Sequence, residues 1–325
     1  MKNYTVKLYR NEDLETWNAF IDKAKNATFL FNRNFMEYHN DRFEDFSLIV
    51  EKDSKWVAVL PANVVNSEVF SHQGLTYGGL VYDEKLKLAS VIAIFKAILI
   101  FLETHNKTKL QIKLLPHFYA DVASEELNYA LFLAKAQLIR RDTSAVIDLQ
   151  KPFLITKGRM EGVAKALKNN LIIKEEQSFD SFWNEILLPQ LDKNHQAKPV
   201  HSLEEIQSLN KDFPDNIRQF NVYYQDKIVA GTTIFETKNV AHAQYISGNE
   251  NKSILGSVDF LYHYLITEIF KEKRYFDFGI SNEKQGEKLN EGLSFWKESF
   301  GANIVVQDFY EVSTANYDLL ENVLV

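Results

Sequence analysis

Residues 274–301 read RYFDFGIS (274–281), NEKQGEKLNE (282–291) and GLSFWKESFG (292–301). The first eight form a short apolar strand with one carboxylate set into it. Period-two alternation sends Tyr275, Asp277 and Gly279 to one side and Phe276, Phe278 and Ile280 to the other. Asp277 is therefore a charge that needs a partner or a task. The last ten residues place Lys297 among Phe295, Trp296 and Phe300, where a cation either snorkels to the surface or belongs to a site. Upstream, AHAQYISGNENKSILGSVDF (241–260) runs from a strand through a glycine-bearing loop into a helix. Val258, Leu261, Tyr262, Leu265 and Ile269 recur there at three or four residues and share one face. Strand, loop, helix, strand and second helix over 240–302 set the frame for the rest of the chain.

Composition narrows the classes. The chain has 325 residues, 46% hydrophobic and 25% charged, enough for two domains of about 150 residues each. A formal charge of −7 argues against a broad nucleic-acid surface and leaves room for a local basic groove. The absence of cysteine excludes disulfides, thiolate catalysis and cysteine metal sites. The most apolar run, VIAIFKAILIFL (91–102), carries Lys96 and is shorter than the about 20 residues of a membrane span. It is expected to be a buried helix. The start, MKNYTVKLYR, shows no apolar signal region, and the expected location is the cytoplasm.

Taken in order, Tyr4 to Leu8 alternates like a first strand, and Leu14, Trp17, Phe20, Ile21 and Ala24 form a helical stripe. The segment ATFLFNRNFMEYHNDRF (27–43) mixes aromatics with Arg33 and reads either as packing under a loop or as a substrate wall. FSLIVEKDSKWVAVLPAN (46–63) is a hairpin, and SHQGLTYGGL (71–80) is a loop with three glycines. A helix over 87–104, a strand at 109–115, a helix over 125–138 and a strand at 144–149 follow. The second half repeats this order, with Ser202 and Glu205 forming a capping box. Matching landmarks are offset by 174 (Phe46 to Phe220), 177 (Gly79 to Gly256) and 165 residues (Leu110 to Tyr275). Such agreement indicates a tandem duplication of one α/β (α+β) unit, each a mostly antiparallel central sheet flanked by helices. The expected domains are 1–153 and 154–325, with a ligand cleft between them.

The order of meander strands, glycine-bearing loop, helix, acidic strand and terminal helix-strand resembles the GNAT acyltransferase fold. Its duplication, with YFDFGIS followed by GLSFWKESFGA, is similar to the FemABX and BioF2-like double-GNAT families. The resemblance implies catalysis in the second unit, with Lys297 beside the donor carbonyl or leaving group and Asp277 orienting or deprotonating an amine. It places His242 and Tyr245, of opposite side-chain parity, on the donor-binding strand and Gly256, Ser257 and Trp296 with the donor. YGGLVYDE (77–84) is similar to the loop after the first-repeat hairpin, which makes Tyr77 a substrate-side candidate beside Arg33. Trp296 stands where these families have Phe, the helical arm of tRNA-dependent members has no counterpart, and the phosphate loop is reduced to Gly256 and Ser257. The donor is thus open between acyl-CoA, the expected co-substrate, and charged tRNA.

Three softer features remain. His195 and His201 flank Pro199 in DKNHQAKPVH and read as a substrate-facing loop or a solvated turn, with no third ligand for zinc, so no metal site is expected. Lys157, Arg159, Lys165 and Lys168 form a basic helix that reads as a solvated face or a phosphate contact. The functional expectation is acyl transfer from acyl-CoA to an amine acceptor, with no permanently bound cofactor. The alternatives are a FemABX-like aminoacyl-tRNA-dependent transferase acting on a cell-wall precursor, and a non-catalytic binding protein on the same fold.

Overall fold

The computed structural model describes residues 4–195 and 199–324. They form two compact units, Met1–Asp142 with Val306–Val325, and Thr143–Val305. In the first unit Thr5–Leu8, Leu48–Lys52, Lys55–Leu60 and Val81–Tyr82 make one antiparallel sheet in that order. A second ribbon joins Glu44–Asp45, Asn63–Val65, Glu68–Phe70 and Lys109–Lys113 to residues 309–313 of Asn303–Ser313. The apolar run becomes the helix Leu88–Thr104, which buries Val91, Ile94, Phe95, Ile98, Leu99 and Leu102. Lys96 escapes that core by pairing with Glu321 at 2.7 Å. Among the described residues no helix is long and apolar enough to cross a membrane.

Both units contain the same kind of hairpin. Leu48–Lys52 turns into Lys55–Leu60 through Asp53 and Ser54, and Ile217–Tyr224 turns into Lys227–Glu236 through Gln225 and Asp226. All four turn residues have positive φ, between 49° and 61°. Two-residue turns of this hand match the twist of the strands they join. The helix expected over 125–138 covers only Glu126–Leu133, because Lys135 takes φ 53° and the strand Gln137–Asp148 begins at once.

In the second unit Ile172–Glu176, Ile217–Tyr224, Lys227–Glu236 and Val240–Gly248 are successive antiparallel neighbours. Tyr275–Ile280 then lies parallel to Val240–Gly248 and antiparallel to the end of Gln137–Asp148. A parallel neighbour requires a crossover, and it is supplied by the helix Ser257–Tyr264 and its continuation Leu265–Ile269. Leu261, Tyr262, Leu265 and Ile266 of that crossover share a core with Ala241, Ala243, Phe276 and Phe278. On the opposite face the turn Phe182–Leu187 brings Trp183 against Tyr245, with ring centroids 5.0 Å apart. The helix Leu203–Asp212 carries the expected cap: Ser202 accepts from the Glu205 amide at 3.1 Å, and Glu205 accepts from the Ser202 amide at 2.8 Å.

Candidate active site

The parallel pair of strands is short. Val240 lies opposite Tyr275, Ala241 opposite Phe276 and His242 opposite Asp277. Beyond these the strands part: residues 243–248 stay with Lys227–Glu236, while Ile280 pairs with Ser144. His242 and Asp277 are therefore the last pair before a wedge opens between two strands. On one lip the register slips between Thr233 and Ile234. Ala241, Ala243 and Ile246 all face the helical core, so two residues, Gln244 and Tyr245, sit between successive core-facing positions. A bulge of this kind re-aims side chains. It leaves His242, Gln244 and Tyr245 on the face away from that core.

Asp277 is 2% exposed and fully engaged. One oxygen accepts from the Ser144 hydroxyl at 2.6 Å and the Gly279 amide at 2.8 Å, and the other meets His242 Nδ1 at 2.8 Å. The carboxylate both ties down the strand end and orients a histidine. Gly279 itself has φ 72°, a left-handed conformation that favours glycine.

Lys297 reaches the other lip. Its helix, Glu291–Glu298, starts where the Asn290 side chain accepts from the Leu293 amide at 3.1 Å. Trp296 and Phe300 pack on Tyr262 and Phe278, whereas Phe295 is 69% exposed. This packing turns Lys297 inward, where its ammonium donates to the carbonyls of Gly279 at 2.9 Å and Ile280 at 2.6 Å. Burial lowers its pKa to about 8, and the nearby Asp277 charge opposes the fall.

A cleft of about 690 Å³ adjoins the wedge, lined by Arg159, Lys165, Ser247, Lys252, Asp259 and Trp296 among others. Asp259 organises its mouth by accepting from Arg159 Nη1 at 2.9 Å and Trp296 Nε1 at 3.1 Å. Arg159 Nε is buried without an acceptor among the described residues. Of the basic helix, Arg159 and Lys165 line the cleft, while Lys157 and Lys168 are exposed. The reduced phosphate loop spends its amides internally: Lys252 donates to Asn249, Leu255 to Asn251 and Gly256 to Lys252. Ser257 is fully buried, and its hydroxyl has no partner among the described residues. Gly256 has φ 69°, and a Cβ there would lie 2.0 Å from the Gly162 carbonyl oxygen. Gly256→Ala is expected to destabilise the second unit by roughly 2–4 kcal/mol, adding left-handed strain to a forced separation of two helices. Thermal unfolding of the variant checks this.

The remaining candidates do not line the cleft. Tyr245 and His201 meet each other: the His201 amide donates to the Tyr245 hydroxyl at 3.1 Å, and Nδ1 lies 2.6 Å from it. Burial raises the Tyr245 pKa to about 12. Arg33 and Tyr77 belong to the first unit. The Arg33 guanidinium contacts Glu37, Asp45 and Ser47 and lies 3.7 Å over the Tyr9 ring. Tyr77 donates to Thr28 at 3.0 Å and is 2% exposed. The His195 side chain lies outside the described residues. Among the described residues no three His, Asp or Glu side chains gather as a metal ligand set. Sequence reasoning placed His242 on the donor-binding strand, opposite in parity to Tyr245, and left Gln244 and Asp259 without roles; the bulge at Gln244 instead puts His242 and Tyr245 on one face. A polar residue in an apolar strand was the signal available for His242 and Gln244, and nothing local marked Asp259.

No protein-family model matches this sequence, and no curated protein is detectably similar to it in sequence. Solved structures are similar in fold. FemX superposes with a TM-score of 0.67 at 9% identity, covering 94% of this chain and 96% of that one. L-PGS from Bacillus licheniformis gives 0.59 at 14% identity, over 96% and 93%. A tandem GNAT protein from the clavulanic acid biosynthesis pathway gives 0.55 at 12% identity, over 96% and 99%. The chain has the double-GNAT, FemABX-like fold.

Proposed function

We propose that this protein transfers an acyl group from acyl-CoA to an amine, with the chemistry in the second unit. The observation that carries the reading is the wedge between Val240–Gly248 and Tyr275–Ile280, with a buried ammonium on one lip and a cation-lined cleft beside it. An extended acyl chain and its carrier fit such a wedge, with the carbonyl near its point. There the Lys297 charge stabilises negative charge as it develops on oxygen or sulfur. Arg159, Lys165 and Lys252 face the cleft where the carrier's phosphates would lie. The unsatisfied Arg159 Nε–H favours an anionic oxygen as its acceptor.

One observation favours a different donor. The amides of Lys252, Leu255 and Gly256 bond to carbonyls of the loop itself, which takes them out of the backbone cradle that a pyrophosphate uses at a helix N-terminus. The second reading is therefore aminoacyl transfer from charged tRNA, and the similarity of fold to FemX agrees with it. The net charge of −7 weighs against it.

Thermal unfolding with each donor separates the two. Acetyl-CoA at 100 times its Kd is expected to stabilise by about 2.7 kcal/mol, a rise of roughly 5–10 °C for a unit of this size. Charged tRNA is expected to have no effect at moderate salt. Salt-sensitive stabilisation by charged tRNA, with none by acetyl-CoA or longer acyl-CoA, reverses the assignment.

A further inference from the structure

We propose that His242 is the general base that takes the proton of the acceptor amine, with Gln244 Oε1 receiving a second N–H of the same nitrogen and Asp277 positioning the ring. This rests on the acyl-transfer reading above. His242 stands at the point of the wedge, where a reacting carbonyl would lie. The Asp277 carboxylate at 2.8 Å occupies Nδ1, and the partner of one ring nitrogen decides the state of the other. The proton of the neutral ring sits on Nδ1, which leaves the Nε2 lone pair free. Nε2 has no hydrogen-bond partner among the described residues, and the side chain is 11% exposed, enough for a ligand to reach it.

The surroundings leave room for that ligand. A Cβ on Gly279 would lie 3.2 Å from His242 Cε1, so the glycine keeps the space beside the ring clear. Gln244 follows His242 by two residues on the same face, and its Oε1 is a buried acceptor without a donor among the described residues. The two Cα atoms lie about 6–7 Å apart along one strand, so the base and the bare acceptor can converge on one amine nitrogen within about 3 Å of each. The titratable groups around the ring are Asp277, Lys297 beyond the Gly279 carbonyl, and Tyr245 and His201 on the same face.

The step balances. The amine binds in its neutral form, its nitrogen lone pair forms the C–N bond at the acyl carbon, and one N–H proton passes to Nε2. The tetrahedral adduct then expels the thiolate as the C–S bond breaks. The thiolate takes one proton from solvent, and the imidazolium returns one to solvent. Amide and thiol are the products.

The test uses acetyl-CoA with glycinamide as the probe amine, hydroxylamine as a second nucleophile, and release of free thiol as the readout. His242→Gln is expected to lower kcat with glycinamide by about 10²- to 10⁴-fold. Hydroxylamine, largely uncharged at neutral pH, is expected to lose less. The acid limb of the kcat profile disappears in this variant, and imidazole restores part of the rate of His242→Ala. Gln244→Leu is expected to raise the KM for glycinamide with little change in kcat. The proposal is overturned if His242→Gln keeps its rate. It is also overturned if the rate and melting temperature fall together with an unaltered pH profile and no rescue. Absence of turnover in the unmodified protein counts against the acyl-CoA reading instead. In that event ¹⁵N NMR of His242 decides: a neutral ring protonated on Nε2 removes it as a base whatever the donor.

Discussion

Lys297→Met is expected to lower turnover by about 10²- to 10³-fold while leaving donor affinity within a few-fold, because the charge acts only as negative charge develops in the transition state. The side chain is 2% exposed and donates to two strand-end carbonyls, so the ammonium is held in place at the wedge before any ligand arrives. With its pKa lowered to about 8 by burial, the lysine is charged at neutral pH. Activity that depends on the charge should fall as pH rises through about 8. Stability runs the other way. A lysine whose folded pKa lies below the ordinary 10.5 penalises the folded state while it is protonated. That penalty is fully present below about pH 8 and is relieved between about 8 and 10.5. The displacement corresponds to roughly 3 kcal/mol, partly masked in the variant by two carbonyls left without donors. Turnover and unfolding free energy measured from pH 6 to 10 check both limbs. A Lys297→Met protein with normal turnover takes the lysine out of the mechanism and favours a binding role for the fold.

Asp277→Asn is expected to be the most damaging conservative change in the second unit. The carboxylate accepts from Ser144, the Gly279 amide and His242 at once, and an amide nitrogen in place of one oxygen turns at least one of these contacts into donor against donor. Losing charge-assisted bonds in a buried setting is expected to cost about 2–4 kcal/mol. Turnover should fall by about 10²- to 10⁴-fold as the ring loses its tautomer and orientation. The variant also carries a signature that general damage does not produce. Asp277 holds the Lys297 pKa up against burial, so without that charge the alkaline fall of activity should move below pH 8. A double-mutant cycle with His242→Gln reads the coupling, which should approach the full effect of either change alone. Additive losses would show that aspartate and histidine act apart.

The sequence by itself determined the features whose causes are local. The alternation in RYFDFGIS puts Phe276 and Phe278 into the core and turns Asp277 away from it, and the structure keeps that sidedness. Helical stripes, hairpins and the Ser202–Glu205 cap form from neighbouring residues alone, so they were legible. The repetition of the whole series announced a double unit. Helix ends were less legible, as at Lys135, where a backbone conformation outweighs propensity.

The tertiary structure alone decided how the chemistry is assembled. His242 meets Asp277 across 35 residues, Ser144 meets it across 133, and Arg159 meets Asp259 across 100. Register between parallel strands is set by the packing of the crossover helix against both, and shifting it by one residue would point His242 away from Asp277. The inward turn of Lys297 likewise depends on Trp296 and Phe300 finding Tyr262 and Phe278, rings that come from two other elements. A carboxylate and a lysine could be marked as candidates from their unusual neighbours in sequence. Their partners, and hence the depressed lysine pKa and the oriented imidazole, arise only when burial brings distant segments together.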